Sequence, residues 1–178
     1  NPFLKVTAKP VTVIDEDILT ILDDMMETMY HANGIGLAAT QIAIDKRLIV
    51  MDCGKTKYET QNISEEEYDE KIKDEQFEPF PIKMINPEII SLGKNLEERE
   101  EGCLSIPGYN AKIKRPSSLK VKYTDENKKD NIIDAEGLLA TCIQHEIDHL
   151  NGILFIDHLS KLKREIILKK AIKEYSKS

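Results

Sequence analysis

A chain of 178 residues with 40% hydrophobic and 32% charged side chains has the profile of a soluble globular protein long enough to bury a sizeable core. Its formal net charge of −7 disfavours a general nucleic-acid binder, so no DNA partner is expected. No run approaches the roughly 18–20 apolar residues of a membrane span, and no secretory signal is visible.

Apolar side chains at Ile18, Leu19, Leu22, Met25, Met26 and Met29 recur with a helical period and predict a helix from about Asp15 to Asn33. Asp15 or Asp17 would cap it and Gly34 would stop it, with Gly36 read as a turn. Arg47–Asp52 reads as a buried strand. Residues 53–81 are acidic, poor in periodicity and closed by Pro79 and Pro81, which predicts an insertion loop with one helical turn around Glu65–Lys73. Strands are predicted near Lys83–Ile90, Asn110–Lys114 and Leu119–Tyr123, then a turn at Asp125-Glu126-Asn127 and a strand near Asn131–Asp134. Helical patterns occupy Gly137 to Asn151 and, in an amphipathic segment, Ser160 to Tyr175. This order predicts an α+β fold in which a helix packs against antiparallel sheets, with one domain over residues 1–178.

Charge is unevenly spread. Between Ser64 and Glu78 eight acids face Lys71 and Lys73, whereas between Ser160 and Ser178 seven Lys/Arg face Glu165 and Glu174, a net of +5. The second segment predicts a basic helix on an acidic body. Cys53, Cys103 and Cys142 are odd in number and widely spaced, which argues against a disulfide framework and for a reducing compartment, expected to be cytoplasmic.

The chemistry concentrates at His145-Glu146-Ile147-Asp148-His149. Two histidines four apart share one helix face and can reach one metal ion, while Glu146 beside the first can handle protons without ligating. A third ligand is required. The extended H-E-x-x-H-x-x-G-x-x-H pattern fails at Phe155, and the downstream Glu165 and Glu174 lie in a lysine-rich segment better explained as a solvated helix face. Cys103 in Glu101-Gly102-Cys103-Leu104-Ser105 is the better choice, because it follows a glycine and sits among charged and turn residues. On the helix, Leu138, Thr141, Cys142, His145 and His149 form one stripe, so metal and apolar pocket should adjoin. Leu139, Ile143 and Leu150 form another that can serve the core.

Gly34-Ile35-Gly36-Leu37-Ala38-Ala39-Thr40-Gln41, E-G-C-L-S and Q-H-E-I-D-H together resemble the three signature motifs of bacterial-type peptide deformylases, in the family's order. The resemblance implies hydrolysis of the N-formyl group from formyl-methionyl polypeptides with release of formate. It implies Cys103, His145 and His149 as metal ligands, Glu146 as proton carrier, and Gln41 with the backbone N–H of Leu104 as oxyanion donors. It further implies that the peptide adds as a strand along Ile35, Gly36 and Gly102, with Leu138, Thr141 and Cys142 around the methionine side chain. Thr141 departs from a pocket that is usually apolar, and Arg99 stands where an apolar residue often forms the wall. Glu101 paired with Arg115 would steady the metal loop. Family practice implies iron(II) in the cell, with zinc, nickel or cobalt able to replace it. The nascent chain would be the substrate, and the ribosome a partner for the basic C-terminal helix. The rival readings are a zinc peptidase that uses a downstream Glu and a metal-stabilised binding protein without catalysis.

Overall fold

The computed structural model describes residues 2–54 and 79–175. Helix α1 (Glu16–His31) begins where Asp15 accepts a hydrogen bond from the Ile18 N–H at 3.0 Å, with Glu16 and Asp17 favourably placed in its first turn. It ends through Asn33, which takes the left-handed conformation at φ 54°, while the Gly34 N–H returns to the Met29 carbonyl at 2.9 Å. The reversal therefore falls on Asn33, one residue before the glycine expected to make it.

Five strands form one antiparallel sheet in the order β1 (Gly36–Ala38), β2 (Leu48–Asp52), β3 (Pro81–Leu92), β6 (Ser118–Thr124) and β7 (Asp130–Glu136). β4 (Leu96–Cys103) and β5 (Ile106–Pro116) form a separate two-stranded sheet. Helix α2 (Gly137–Leu150) follows β7, and helix α3 (Lys161–Tyr175) ends the described chain. The α+β architecture with antiparallel sheets is the one expected, although β1 and β4 were not among the expected strands.

The strand β2 shows how the layers are held. All five of its residues are buried, and alternate side chains serve opposite faces. Leu48 and Val50 join Ile18, Leu22, Met25 and Met29 of α1, while Ile49 and Met51 join Ala140, Ile143 and Leu150 of α2. The large sheet is thus covered on both sides by helices, and α2 is buried nearly all round rather than on one stripe.

The Asp52 side chain closes the end of β2. Its Oδ1 accepts the backbone N–H groups of Gly54 and Phe80, both at 2.9 Å, and its Oδ2 accepts the Tyr30 hydroxyl at 2.5 Å. One buried carboxylate therefore fixes both ends of the acidic insertion; the helical turn expected around Glu65–Lys73 lies outside the described residues. In α3, Ile167, Leu168 and Ala171 pack on Phe155 and β5, but Leu162 and Ile172 remain 69% and 67% exposed. The helix is less cleanly amphipathic than its pattern promised.

Candidate metal centre

His145 and His149 stand one turn apart on α2, and β4 runs beside them. Glu101 meets His145, and Cys103 meets His149. The result is a tight donor set: the ligand atoms of Cys103, His145 and His149 all lie within 4.8 Å of one another. Cys103 Sγ is 3.1 Å from His149 Nε2, which is 3.2 Å from His145 Nε2.

The orientation of this set suits a cation. Glu101 Oε2 lies 2.9 Å from His145 Nδ1, which assigns the proton to that nitrogen and leaves the Nε2 lone pair for a metal. Arg115 clamps Glu101 with two hydrogen bonds, Nε to Oε1 at 2.6 Å and Nη2 to Oε2 at 3.0 Å, and reaches Asp148 through Nη1 at 2.8 Å. Asp148 also pairs with His158 at 2.7 Å. A thiolate with two imidazoles is a set that accepts zinc, iron(II), nickel or cobalt. Among the described residues it is the one cluster of three or more such donors.

Electrostatics at the site follow from burial and these partners. Burial opposes ionisation of Glu101, but hydrogen bonds from His145 and Arg115 prevail and bring its carboxyl down to about 2. Burial likewise pulls His145 down, yet its contacts with Cys103 and Glu101 carry it up to about 10, and a metal bound at Nε2 would take the place of that proton. Burial and the charges on His145 and Arg115 push His149 down to about 3. Burial lifts Glu146 to about 7, and its Oε2 is buried without a hydrogen-bond partner. A carboxyl poised near neutrality is what proton transfer at physiological pH requires.

A cavity of about 430 Å³ opens in front of the centre. Gln41, Glu146 and the ligands Cys103 and His145 line it, as do Leu104 and all six expected substrate contacts: Ile35, Gly36, Gly102, Leu138, Thr141 and Cys142. The Gln41 amide is fixed in direction. Its Oε1 accepts the Ala38 N–H at 2.8 Å, which turns Nε2 toward Ser105 Oγ at 3.1 Å and Cys103 Sγ at 3.5 Å.

Several sequence expectations change here. Gly36, read as a turn, opens strand β1. A Cβ there would collide with Glu146 Oε1 and lie 2.8 Å from Cys142 Sγ, so the space is filled by the protein's own side chains. The Thr141 hydroxyl donates to the Gly137 carbonyl one turn back at 3.2 Å, so its polarity is satisfied within the helix. Phe155, at the position where a third histidine was sought, is buried and stacks on the His145 ring at 6.4 Å. Glu174 instead hydrogen-bonds to Tyr109, and Glu165 is exposed. The Glu101–Arg115 pair is buried, at 5% and 6% exposure, which rules out a weak surface bridge. Arg99 bonds to Glu97 at 2.8 Å near the start of α2 and does not line the cavity. Ser105 and Asp148 escaped the sequence reading because their partners are distant in the chain.

Comparison with known proteins gives a consistent family. The family described as polypeptide deformylase matches residues 1–165. The chain is 45% identical over 173 residues to the peptide deformylase of Agrobacterium fabrum, covering 97% of this chain and 91% of that one. The crystal structure of peptide deformylase from Ehrlichia chaffeensis superposes with a TM-score of 0.85 at 37% identity, covering 99% and 93% of the two chains. The same organism's enzyme in complex with actinonin gives 0.81 at 38%, covering 98% and 92%.

Proposed function

The chain belongs to the peptide deformylase family, and on that premise we propose how its residues divide the work of removing the N-formyl group from formyl-methionyl polypeptides. The observation that carries the proposal is the convergence of Cys103, His145 and His149 beside a buried, unpartnered Glu146 oxygen at one cavity. Cys103, His145 and His149 hold one metal ion, which when bound supplies the Lewis acidity that makes water nucleophilic near neutral pH.

Glu146 takes the proton from the attacking water and returns it to the leaving amine, a cycle favoured by its carboxyl near 7. Gln41 Nε2 and the Leu104 backbone N–H donate to the oxyanion that develops on the formyl carbonyl, and the Ala38 bond holds the Gln41 amide in place beforehand. Among the described residues β1 ends the large sheet with an unpaired edge, so a peptide can add there as a further strand through Ile35 and Gly36, with Gly102 across the cavity. Leu138, Thr141 and Cys142 take the methionine side chain. Glu101 and Arg115 keep the His145 ring oriented.

The metal in the cell is iron(II), with zinc, nickel or cobalt as replacements. An open thiolate site of this kind makes an iron enzyme sensitive to dioxygen. The protein works in the cytoplasm on nascent chains, and the basic segment from Lys161 to Lys177 docks it on the ribosome near the peptide exit. Support for the docking comes from its +5 charge on an acidic body and from the exposure of α3. The test is anaerobic reconstitution of apoprotein with each metal, followed by assay of formate release from formyl-Met-Ala before and after exposure to air. Formate release that decays in air for iron but persists for nickel is the expected result. Cleavage of an internal peptide bond instead would favour the zinc-peptidase reading, and equal air-stable activity of iron and zinc would overturn the iron assignment.

A further inference from the structure

Two of the three cysteines come together where β2 ends beside α2. Cys53 follows the last residue of β2 and is half-buried, whereas Cys142 lies buried in the middle of α2. Cys53 packs against the core cluster that contains Cys142, and each thiol shifts the ionisation of the other. Cys142 also donates to the Ile35 carbonyl at 3.6 Å, the same carbonyl that accepts the Asp52 N–H at 2.9 Å. Strand β1, the end of β2 and helix α2 are therefore joined at one sulfur pair. Neither thiol belongs to the ligand set.

We propose that Cys53 and Cys142 form an oxidation site, at which a peroxide converts the two thiols into a disulfide that slows turnover. The more accessible Cys53 attacks the peroxide O–O bond as its thiolate, giving a sulfenic acid and releasing one water after protonation. Cys142 sulfur then displaces the sulfenic oxygen, forming the S–S bond and releasing a second water. Two thiols and one hydrogen peroxide thus give one disulfide and two waters. Cys142 beside it lowers the Cys53 pKa against its burial, and Cys53 is the less buried of the two, which favours it as the attacking sulfur.

The consequence for activity rests on the deformylase reading, whereas formation of the bond does not. Once bonded, Cys142 has no proton to donate to Ile35, and its sulfur is drawn toward β2 from its place against Gly36. β1 then loses a tie beside Glu146 on the edge where the peptide adds. Loss of one such hydrogen bond predicts a fall in kcat/KM of roughly threefold to tenfold.

Zinc-loaded protein should be treated with hydrogen peroxide, alkylated and mapped by mass spectrometry, since zinc keeps Cys103 engaged and removes iron oxidation from the readout. Alkylatable thiols should fall by two per chain, with a peptide linking Cys53 to Cys142 that disappears on reduction. Formate release should fall and recover in parallel, and Cys53→Ser should start with ordinary activity and keep it under peroxide. Oxidation at Cys103, or a sulfinic acid at Cys53 with Cys142 still free, would overturn the site. A mapped disulfide with unchanged formate release would overturn its control of turnover. Absence of formate release before oxidation, with the linked peptide still formed, would instead count against the deformylase reading.

Discussion

Arg115 divides its guanidinium between the buried carboxylate of Glu101 and the half-buried one of Asp148, and this makes it the residue on which the metal loop depends. Replacing Arg115 with Met leaves Glu101 and Asp148 short of a cation; breaking such a buried pair costs about 3–5 kcal/mol. Metal affinity should drop by about 10–100-fold with it, because Glu101 no longer holds His145 firmly. The sign with pH is fixed by Glu101, whose carboxyl sits at about 2 in the folded protein, below its ordinary value of 4.5. Its stabilisation is complete above 4.5 and fades as pH falls toward 2, so Arg115→Met should move acid unfolding, followed by circular dichroism, to higher pH. An unchanged acid midpoint would contradict that assignment. Gln41 acts through a different quantity. Gln41→Ala should lower kcat by about 10²–10³ with little change in KM, since its donor acts on the developing oxyanion. A steady-state profile in which KM alone rises would make Gln41 a ground-state binding residue.

At the scale of elements, α2 and β4 build the site together, and they differed greatly in legibility. The helix announced itself through two histidines four apart and a long apolar content. β4 did not, because its inward side carries Glu97, Arg99, Glu101 and Cys103 in place of the apolar alternation that marks a strand. Glu101 and Cys103 build the site, so the function that shaped this end of the strand also hid it. β1 escaped notice because three residues carry too little pattern, although Gly36 was recognisable as part of a motif. The ligand trio could be read from local motifs, whereas Ser105, Asp148 and the Cys53–Cys142 contact depend on pairings between distant segments. The packing of β1 on α2 gives its own prediction. Gly36→Ala puts a methyl group into Glu146 and Cys142, so the melting temperature should fall by an amount corresponding to about 1–3 kcal/mol. Displacement of Glu146 should cost up to about 10² in kcat. A variant with wild-type melting and turnover would show that β1 does not confine the carboxylate.

The whole molecule separates charge: a basic C-terminal segment on an acidic body, with the catalytic cavity formed by other elements. Reversing exposed lysines of α3, such as Lys163 and Lys170, should weaken ribosome co-sedimentation and make it less salt-sensitive while leaving formate release from small peptides intact. Co-sedimentation indifferent to both salt and charge reversal would end that docking proposal. Among the described residues no helix is long and apolar enough to cross a membrane. The central claim is that α2 and β4 bring a ligand set and a separate proton carrier to one cavity, and Glu146→Gln tests it most directly, with metal content and kcat measured on the same sample. The account predicts full metal with turnover reduced by about 10²–10⁴, the loss expected when a general acid–base group is removed. Full metal with more than about a tenth of wild-type turnover, well outside that range, would contradict it.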